Sequence, residues 1–257
     1  MKKKIIGLLT IVLLCNQMTA KAQPALKGDG IGVNPHKYSV EDKLTIQKKS
    51  AEAEKYFKEK TSKLKNKSNN TNIGNYVVQP PYDTDYGKVN RVGQYTQSKS
   101  YTCGPTAARN LINGYVLYNG GYTPAESTLE RDLGTTTDGT NFDAGKWQTT
   151  LNNYAPGNSY VLQWATSSWL TDLTIKVMYT IDKSSNYNVI ANINHGYTTT
   201  PIHSAYSNGA AHYVTVYGYD NYQNIYYISD SNGVTGVTYT TSYSRLANST
   251  QARGIVW

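Results

Sequence analysis

Cysteine is scarce in this sequence, with two residues in 257. One of them, Cys15, ends an apolar run that follows three lysines and precedes Ala-Lys-Ala at residues 20–22. This pattern is typical of a secretory signal, so we expect residues 1–22 to be removed by cleavage after Ala22. The mature chain then keeps Cys103 alone, which excludes an internal disulfide. A single thiol in a secreted protein must be buried, paired with another chain or used in chemistry.

Long apolar runs are also lacking beyond the signal, so we expect no transmembrane anchor after signal cleavage. Net charge is small in the larger part of the chain. Residues 1–75 carry 15 lysines and 6 acidic residues, whereas residues 76–257 carry 10 basic and 11 acidic residues. The formal net charge of +8 therefore comes from the N-terminal part. Because the larger part is close to neutral, nucleic acid is not an expected partner.

The N-terminal segment, residues 23–77, is rich in Lys, Glu, Ser and Asn and poor in large apolar residues. Ser39, followed by Glu41 and Asp42, predicts the start of a helix, whereas residues 63–70 read as solvated linker. Two interpretations stay open: a charged spacer before the domain, or a pro-segment that covers the active site until it is removed. Its basic face could also hold the protein to anionic polymers in the wall of a Gram-positive bacterium.

The remaining residues, 78–257, are long enough for one domain with its own core. Spacings of three and four predict helices first, and alternating patterns predict strands second. This order predicts an α+β fold with a mostly antiparallel sheet. The 24 tyrosines fit strands that face solvent on one side. Besides a helix from Cys103, the predicted helices are 124–133, 141–154 and 167–181, and the predicted strands are 160–164, 187–193, 213–219, 225–230 and 234–240.

Cys103 stands where the first of these helices begins, because apolar residues recur at helical spacing as far as Tyr118. Unpaired N–H groups and the macrodipole favour negative charge at a helix N-terminus, so a thiol there ionises more readily. Gly104 leaves space for a ligand to approach the backbone, and Pro105 suits the first helical turn. The alternative is that Cys103 is a small buried apolar residue.

A nucleophilic cysteine needs a base, and histidine suits that role near neutral pH. The sequence has four histidines. His36 lies in the polar N-terminal segment, while His195 and His203 lie in a loop rich in Gly, Thr and Ser, where a surface position is expected. His212 differs because it opens an alternating strand and shares a face with apolar residues of that strand. His212 is therefore the predicted base.

Asp230 is the predicted orienting group for His212. The strand that His212 opens and the strand that Asp230 ends form a hairpin if their turn is centred near Asn221, and the two residues then lie directly opposite each other. A carboxylate there accepts a hydrogen bond from one imidazole nitrogen and leaves the other for Cys103. Taken alone, Asp230 would read as a turn-forming residue.

An attacking thiolate turns a carbonyl oxygen into an oxyanion, which needs hydrogen-bond donors. The backbone N–H of Cys103 at the helix start supplies one donor. The side-chain amide of Gln97, six residues upstream, is the candidate for a second, and Gln94 is a weaker one.

The combined pattern resembles a known family. A glutamine six residues before Cys-Gly-Pro, a later His-Tyr-Val-Thr-Val-Tyr-Gly-Tyr-Asp and an aspartate that ends the next strand are similar to papain-like cysteine peptidases related to the bacteriocin-processing double-glycine peptidases. The resemblance covers residues 78–257 and implies Cys103 as nucleophile and His212 as base and acid. It further implies Asp230 as orienting group, Gln97 as oxyanion donor, a papain-like fold and no metal or organic cofactor.

The leading prediction is a secreted cysteine peptidase that hydrolyses peptide bonds through a thioester and takes a protein or peptide substrate. Leader-processing relatives lie on the cytosolic side, fused to membrane transporters, so the signal argues against cleavage of a double-glycine leader. One alternative is a peptidoglycan amide hydrolase with a similar Cys and His pair, although repeated wall-binding modules are missing. The other is a non-catalytic surface-binding protein on the same fold, against which the complete set of four site residues argues.

Overall fold

The structure, a computed structural model, describes residues 38–68, 86–194, 201–206, 211–233 and 237–257. Several sequence predictions concern residues outside these ranges, namely the signal at 1–22, His36 and His195. None of the helices in the described ranges is long and apolar enough to cross a bilayer.

The described residues form helices and strands in the order expected for an α+β fold. The helices are α1 (Val40–Ser68), α2 (Cys103–Asn119), α3 (Glu126–Leu133), α4 (Ala144–Tyr154), α5 (Trp169–Asp182) and α6 (Tyr243–Thr250). The strands are β1 (Gly87–Val89), β2 (Leu162–Trp164), β3 (Val189–Asn194), β4 (Ala211–Asp220), β5 (Ile225–Asp230), β6 (Thr238–Ser242) and β7 (Gly254–Val256). A short 3₁₀ turn covers Ser204–Tyr206.

The strands form one antiparallel sheet in the order β2-β7-β3-β4-β5-β6, and β1 pairs with the C-terminal end of β4. Of the strand expected at 234–240, residues 234–236 lie outside the described ranges. The described strand is Thr238–Ser242, and it pairs with β5 so that Ser242 lies opposite Ile225. Sequence reasoning missed β1, α6 and β7. Both missed strands are three residues long, too short for an alternating pattern to be recognised.

The sheet separates two apolar cores, because successive side chains of a strand point to opposite faces. In β3, Val189 and Ile193 pack with α5 and α6, whereas Ile190 packs with α2 and α4. Helix α2 is also tied to β4, since the Thr215 hydroxyl donates to the Ala107 carbonyl at 2.9 Å. The core beneath α2 includes Ala108, Leu111, Ile112, Trp147, Leu151 and Tyr213. The cysteine helix is thus packed on an antiparallel sheet, which is the papain-like arrangement that the resemblance implies.

Helix α1 begins as the sequence predicts, because the Ser39 hydroxyl accepts a hydrogen bond from the Asp42 N–H at 3.0 Å. It continues to Ser68, so the prediction of linker is wrong for residues 63–68, while residues 69–70 lie outside the described part. Lysine is a good helix former, which explains how this lysine-rich stretch extends the helix.

Helix α1 packs on α5, on the face of the sheet opposite α2. The Lys49 ammonium is buried and donates to the backbone carbonyls of Trp257, at 2.5 Å, and Ser159, at 3.0 Å. This burial lowers the pKa of Lys49 well below its ordinary value. Further along the helix, Lys60 forms a 2.7 Å ion pair with Asp182 at the end of α5. Polar contacts therefore attach α1 to the domain at two points along its length.

Candidate active site

Cys103 is the first residue of α2, as predicted, and is 3% exposed. The expectation that Gly104 leaves space for a ligand is wrong. A Cβ at this position would lie 2.4 Å from the Thr140 hydroxyl, so Thr140 already fills that space. The glycine instead allows the loop around Thr140 to lie against the first turn of α2.

His212, the second residue of β4, reaches the cysteine. Its Nε2 lies 2.8 Å from Asp230 Oδ1, and Cys103 is near enough for its side chain to raise the pKa of His212. The histidine is 5% exposed and Asp230 is 0% exposed. Side chains from α2, β4 and β5 therefore come together in one buried group.

The register predicted for the hairpin is wrong, although the two residues still meet. Asp230 lies opposite Val214, while His212 lies opposite Ile193 of β3. The turn is centred between Tyr222 and Gln223 rather than near Asn221, which offsets the pairing from the prediction, and a bulge at residue 217 reduces that offset by one residue. Diagonal neighbours on an antiparallel pair remain within reach of long side chains, which explains the short His212–Asp230 distance.

Four donors surround the Asp230 carboxylate. Oδ1 accepts from His212 Nε2 and from the backbone N–H of Asn232 at 2.9 Å. Oδ2 accepts from the hydroxyls of Tyr206 at 2.7 Å and Tyr239 at 2.9 Å. A buried charge is costly unless it is paired and hydrogen-bonded, and this carboxylate meets both conditions.

These contacts favour a charged pair. Burial alone would lower the pKa of His212, but hydrogen bonds with Asp230 and Cys103 outweigh burial and raise that pKa to about 10. Burial alone would raise the pKa of Asp230, but the hydrogen bond and charge of His212, with the Asn232 N–H and the Tyr206 hydroxyl, lower it. The electrostatics therefore stabilise an imidazolium next to a carboxylate.

Gln97 is fixed beside the strand that carries Asp230. Its backbone N–H donates to the Ser231 carbonyl at 2.9 Å, and its side-chain oxygen accepts from the Ser231 hydroxyl at 3.1 Å. Its amide nitrogen donates to the Lys99 carbonyl at 2.9 Å, which uses one of the two amide hydrogens. The weaker candidate, Gln94, is exposed.

Sequence reasoning missed a buried carboxylate that holds the approach to α2. Glu126 accepts from the Ser98 N–H at 3.2 Å and the Ser98 hydroxyl at 2.7 Å. Its pKa is lowered because hydrogen bonds from Thr102, Ser98 and Thr106 outweigh the opposing effect of burial. In the sequence, Glu126 looks only like an acidic residue in the first turn of a helix, so no signal distinguished it.

His203, expected on a loop surface, is half-buried with its ring 4.8 Å from that of Tyr239. Tyr206 and Tyr239 were also missed, since nothing in the sequence separates them from 22 other tyrosines. No group of three or more His, Cys, Asp or Glu side chains within the described ranges is placed to hold a metal ion.

The sequence matches the Peptidase_C39 like family over residues 86–256. Among solved structures, the peptidase domain of Streptococcus ComA, a bi-functional ABC transporter involved in quorum sensing, is 16% identical with a TM-score of 0.39, over 65% of this chain and 95% of that chain. Digestive procathepsin L 3 from the larval midgut of Tenebrio molitor is 12% identical with a TM-score of 0.45, over 87% of this chain and 94% of that chain. The comparison with curated proteins gave no match.

The family match and the cysteine helix packed on an antiparallel sheet together define a cysteine-type peptidase. The chain belongs to the Peptidase_C39 like family. The family and the enzyme class implied by the resemblance are thereby confirmed.

Proposed function

We propose that this peptidase cleaves peptide bonds with Cys103 as nucleophile, His212 as general base and acid, and Asp230 as the group that orients His212. The observation that carries this proposal is the buried 2.8 Å pair of His212 Nε2 and Asp230 Oδ1, with Cys103 near enough to raise the pKa of His212. Because Nε2 is bonded to Asp230, we assign proton exchange with the thiol to the other ring nitrogen, Nδ1. This assignment fixes which nitrogen moves the proton.

In the first half-reaction the thiol proton passes to His212, which the site favours as an imidazolium, and the resulting Cys103 thiolate attacks the substrate carbonyl carbon. The resulting tetrahedral oxyanion collapses, the C–N bond breaks, and the imidazolium gives its proton to the leaving amine. A thioester remains. In the second half-reaction His212 takes a proton from water, the hydroxide adds to the thioester, and the C–S bond breaks to release the acid and the thiol.

Two donors support the oxyanion in this proposal. One is the backbone N–H of Cys103, which lies at the N-terminus of α2 where N–H groups have no partner within the helix. The other is the amide hydrogen of Gln97 that does not bond to Lys99. The three contacts of Gln97 with Ser231 and Lys99 support this role, because a preorganised donor need not reorient during the reaction.

The N-terminal sequence supports secretion, and the substrate would then be a protein or peptide outside the cell. Attachment to a cell wall has weaker support. The basic residues that suggested it belong to a segment whose helix, α1, is packed on the domain.

Purified protein tested on casein and on purified cell walls, beside Cys103→Ala, decides the function. Casein cleavage that Cys103→Ala abolishes supports the proposal. Release confined to walls would instead indicate a peptidoglycan amide hydrolase, and no thiol-dependent activity on either substrate would indicate a binding protein. His203→Ala is a matched control, because it removes another half-buried imidazole, whose ring lies 4.8 Å from that of Tyr239.

A further inference from the structure

Two tyrosine hydroxyls donate to Asp230, and neither takes part in the steps above. Tyr206 belongs to the 3₁₀ turn after β3, and Tyr239 belongs to β6, so they approach the same oxygen, Oδ2, from different parts of the chain. Oδ1 is occupied by His212 and by the Asn232 N–H. Within the described residues, each oxygen of this buried carboxylate therefore accepts two hydrogen bonds.

We propose that Tyr206 and Tyr239 are positioning residues of the active site, which hold the Asp230 carboxylate ionised and turned so that Oδ1 faces His212. The inference rests on the proposed function, because it matters for catalysis only if His212 acts on Cys103. In this proposal both hydroxyls act through Asp230.

The physical reason begins with burial. A carboxylate removed from water tends to take up a proton, and hydrogen bonds to its charged form oppose that tendency. If Asp230 took the proton from Nε2, the imidazole would lose its orienting partner and present the wrong tautomer to Cys103. Donors on Oδ2 make Asp230 less basic, so the proton stays on His212.

Tyr206 also lies against the imidazole ring of His212. The Tyr206 ring lies 5.4 Å from the His212 ring, at an interplanar angle of 35°. Tyr206 is 3% exposed, so the ring has little freedom to move. Burial and the charge of Asp230 both raise the pKa of Tyr239 above its ordinary value, so its hydroxyl remains a donor. The Tyr239 hydroxyl is therefore protonated at the acidic pH at which Asp230 titrates.

The titratable groups around the carboxylate come from several elements. His212 faces it from β4, Tyr239 from β6, and Tyr206 from the turn after β3. Cys103 lies beyond the imidazole on α2, and His203 lies against the Tyr239 ring. The pKa of Asp230 is depressed, so the triad geometry is retained above this pKa and is lost as the pH falls through it.

Three variants test the proposal: Tyr206→Phe, Tyr239→Phe and the double variant. Each change keeps the ring and removes one hydroxyl. The matched control is Tyr226→Phe, which removes a buried hydroxyl of β5 that is bonded to Thr174 and not to Asp230. Two pH titrations are compared, the ¹³C chemical shift of the Asp230 carboxyl and the rate at which iodoacetamide alkylates the cysteine, followed by mass spectrometry.

We expect the Asp230 midpoint to rise by about one pH unit for each hydroxyl removed, which corresponds to a hydrogen bond to a charged group. The acid-side fall in alkylation rate should shift in the same direction. With a peptide substrate, kcat should decrease below neutral pH while KM stays unchanged. Tyr226→Phe should leave both titrations where they are in the unmodified protein.

The proposal is overturned if the Asp230 midpoint does not move in the double variant, or if activity falls equally at every pH. The single variants decide the question if the double variant does not fold. The chemical shift of Asp230 reads its ionisation directly, with no need for catalysis. An ordinary thiol is alkylated only at alkaline pH. If the cysteine of the unmodified protein behaves in this way, the proposed function is overturned. The Asp230 titration then decides this inference by itself.

Discussion

Replacement of Asp230 by Asn tests the charge of this residue with little change in shape. The amide oxygen can take the place of Oδ1 and accept from His212 Nε2 and the Asn232 N–H. The amide nitrogen can take the place of Oδ2, next to the hydroxyls of Tyr206 and Tyr239, which can accept as well as donate. The fold and the histidine tautomer should therefore persist, while the negative charge is lost.

The size of the effect follows from the hydrogen bond between the two charged groups. Such a bond contributes about 1.5–3 kcal/mol, so we expect the pKa of His212, now raised to about 10, to fall by about one to two units. The same energy corresponds to a decrease of about 10- to 100-fold in kcat/KM. A raised histidine pKa stabilises the fold fully below the unfolded value of about 6.5. That contribution is lost as the pH rises through about 10.

The assay compares the pH dependence of kcat/KM and of the melting temperature in Asp230→Asn and in the unmodified protein. The alkaline limit of activity should move to lower pH in the variant, and the loss of melting temperature should be greatest near and below neutral pH. Asp220→Asn is a matched control. Asp220 also accepts backbone N–H groups, at 2.8 and 3.0 Å, but lies beside the exposed turn of the same hairpin.

Two results would refute the reasoning. An alkaline limit that stays in place in Asp230→Asn would mean that this carboxylate does not stabilise the imidazolium. Failure of Asp230→Asn to fold where Asp220→Asn folds would mean that the carboxylate is needed for the structure, so that its catalytic role has no support from this variant.

Three further predictions concern other parts of the molecule. We expect His212→Ala to abolish peptide hydrolysis and His203→Ala to keep most of it; the reverse would reassign the base. Gln97→Ala should raise the barrier in kcat by about 2.7–4 kcal/mol if it donates to the oxyanion, and an unchanged kcat would remove it from the site. Lys49→Met removes a donor from the Ser159 carbonyl and one of two donors from the Trp257 oxygen, at a cost of about 1–3 kcal/mol. Calorimetry should therefore show a lower melting temperature, whereas the exposed Lys48→Met should leave the melting temperature unchanged. Higher activity with an unchanged melting temperature in Lys49→Met would favour an inhibitory pro-segment over a structural helix.

The parts of the site that the sequence predicted are those with a local signal. Cys103 could be placed at a helix start because apolar spacing and Pro105 are read directly from neighbouring residues. His212 could be placed on a strand because alternation identifies the strand, but β4 is buried on both faces, so alternation did not identify the face that meets α2. These assignments needed no knowledge of how distant segments pack.

What the sequence could not predict depends on contacts between distant segments. Tyr206 and Tyr239 meet at Asp230 only because β6 pairs with β5 and the turn after β3 folds back over the same place. The space beside Gly104 looked available because Thr140, 36 residues away, has no local pattern that places it there. Helix α1 could be predicted from its cap. Its attachment to the domain could not be predicted, because Lys49 contacts residues more than 100 positions away.

The bulge in β4 bears on how relatives of this chain should be aligned. Val216 pairs with Ile228 and Gly218 with Tyr227, so Tyr217 is one residue more than regular pairing requires. A homologue that lacks this residue would keep the same cross-strand partners with one position fewer between its imidazole and its acid. The number of residues between the histidine and the aspartate can therefore differ by one among relatives. An alignment gap at Tyr217 keeps equivalent residues matched.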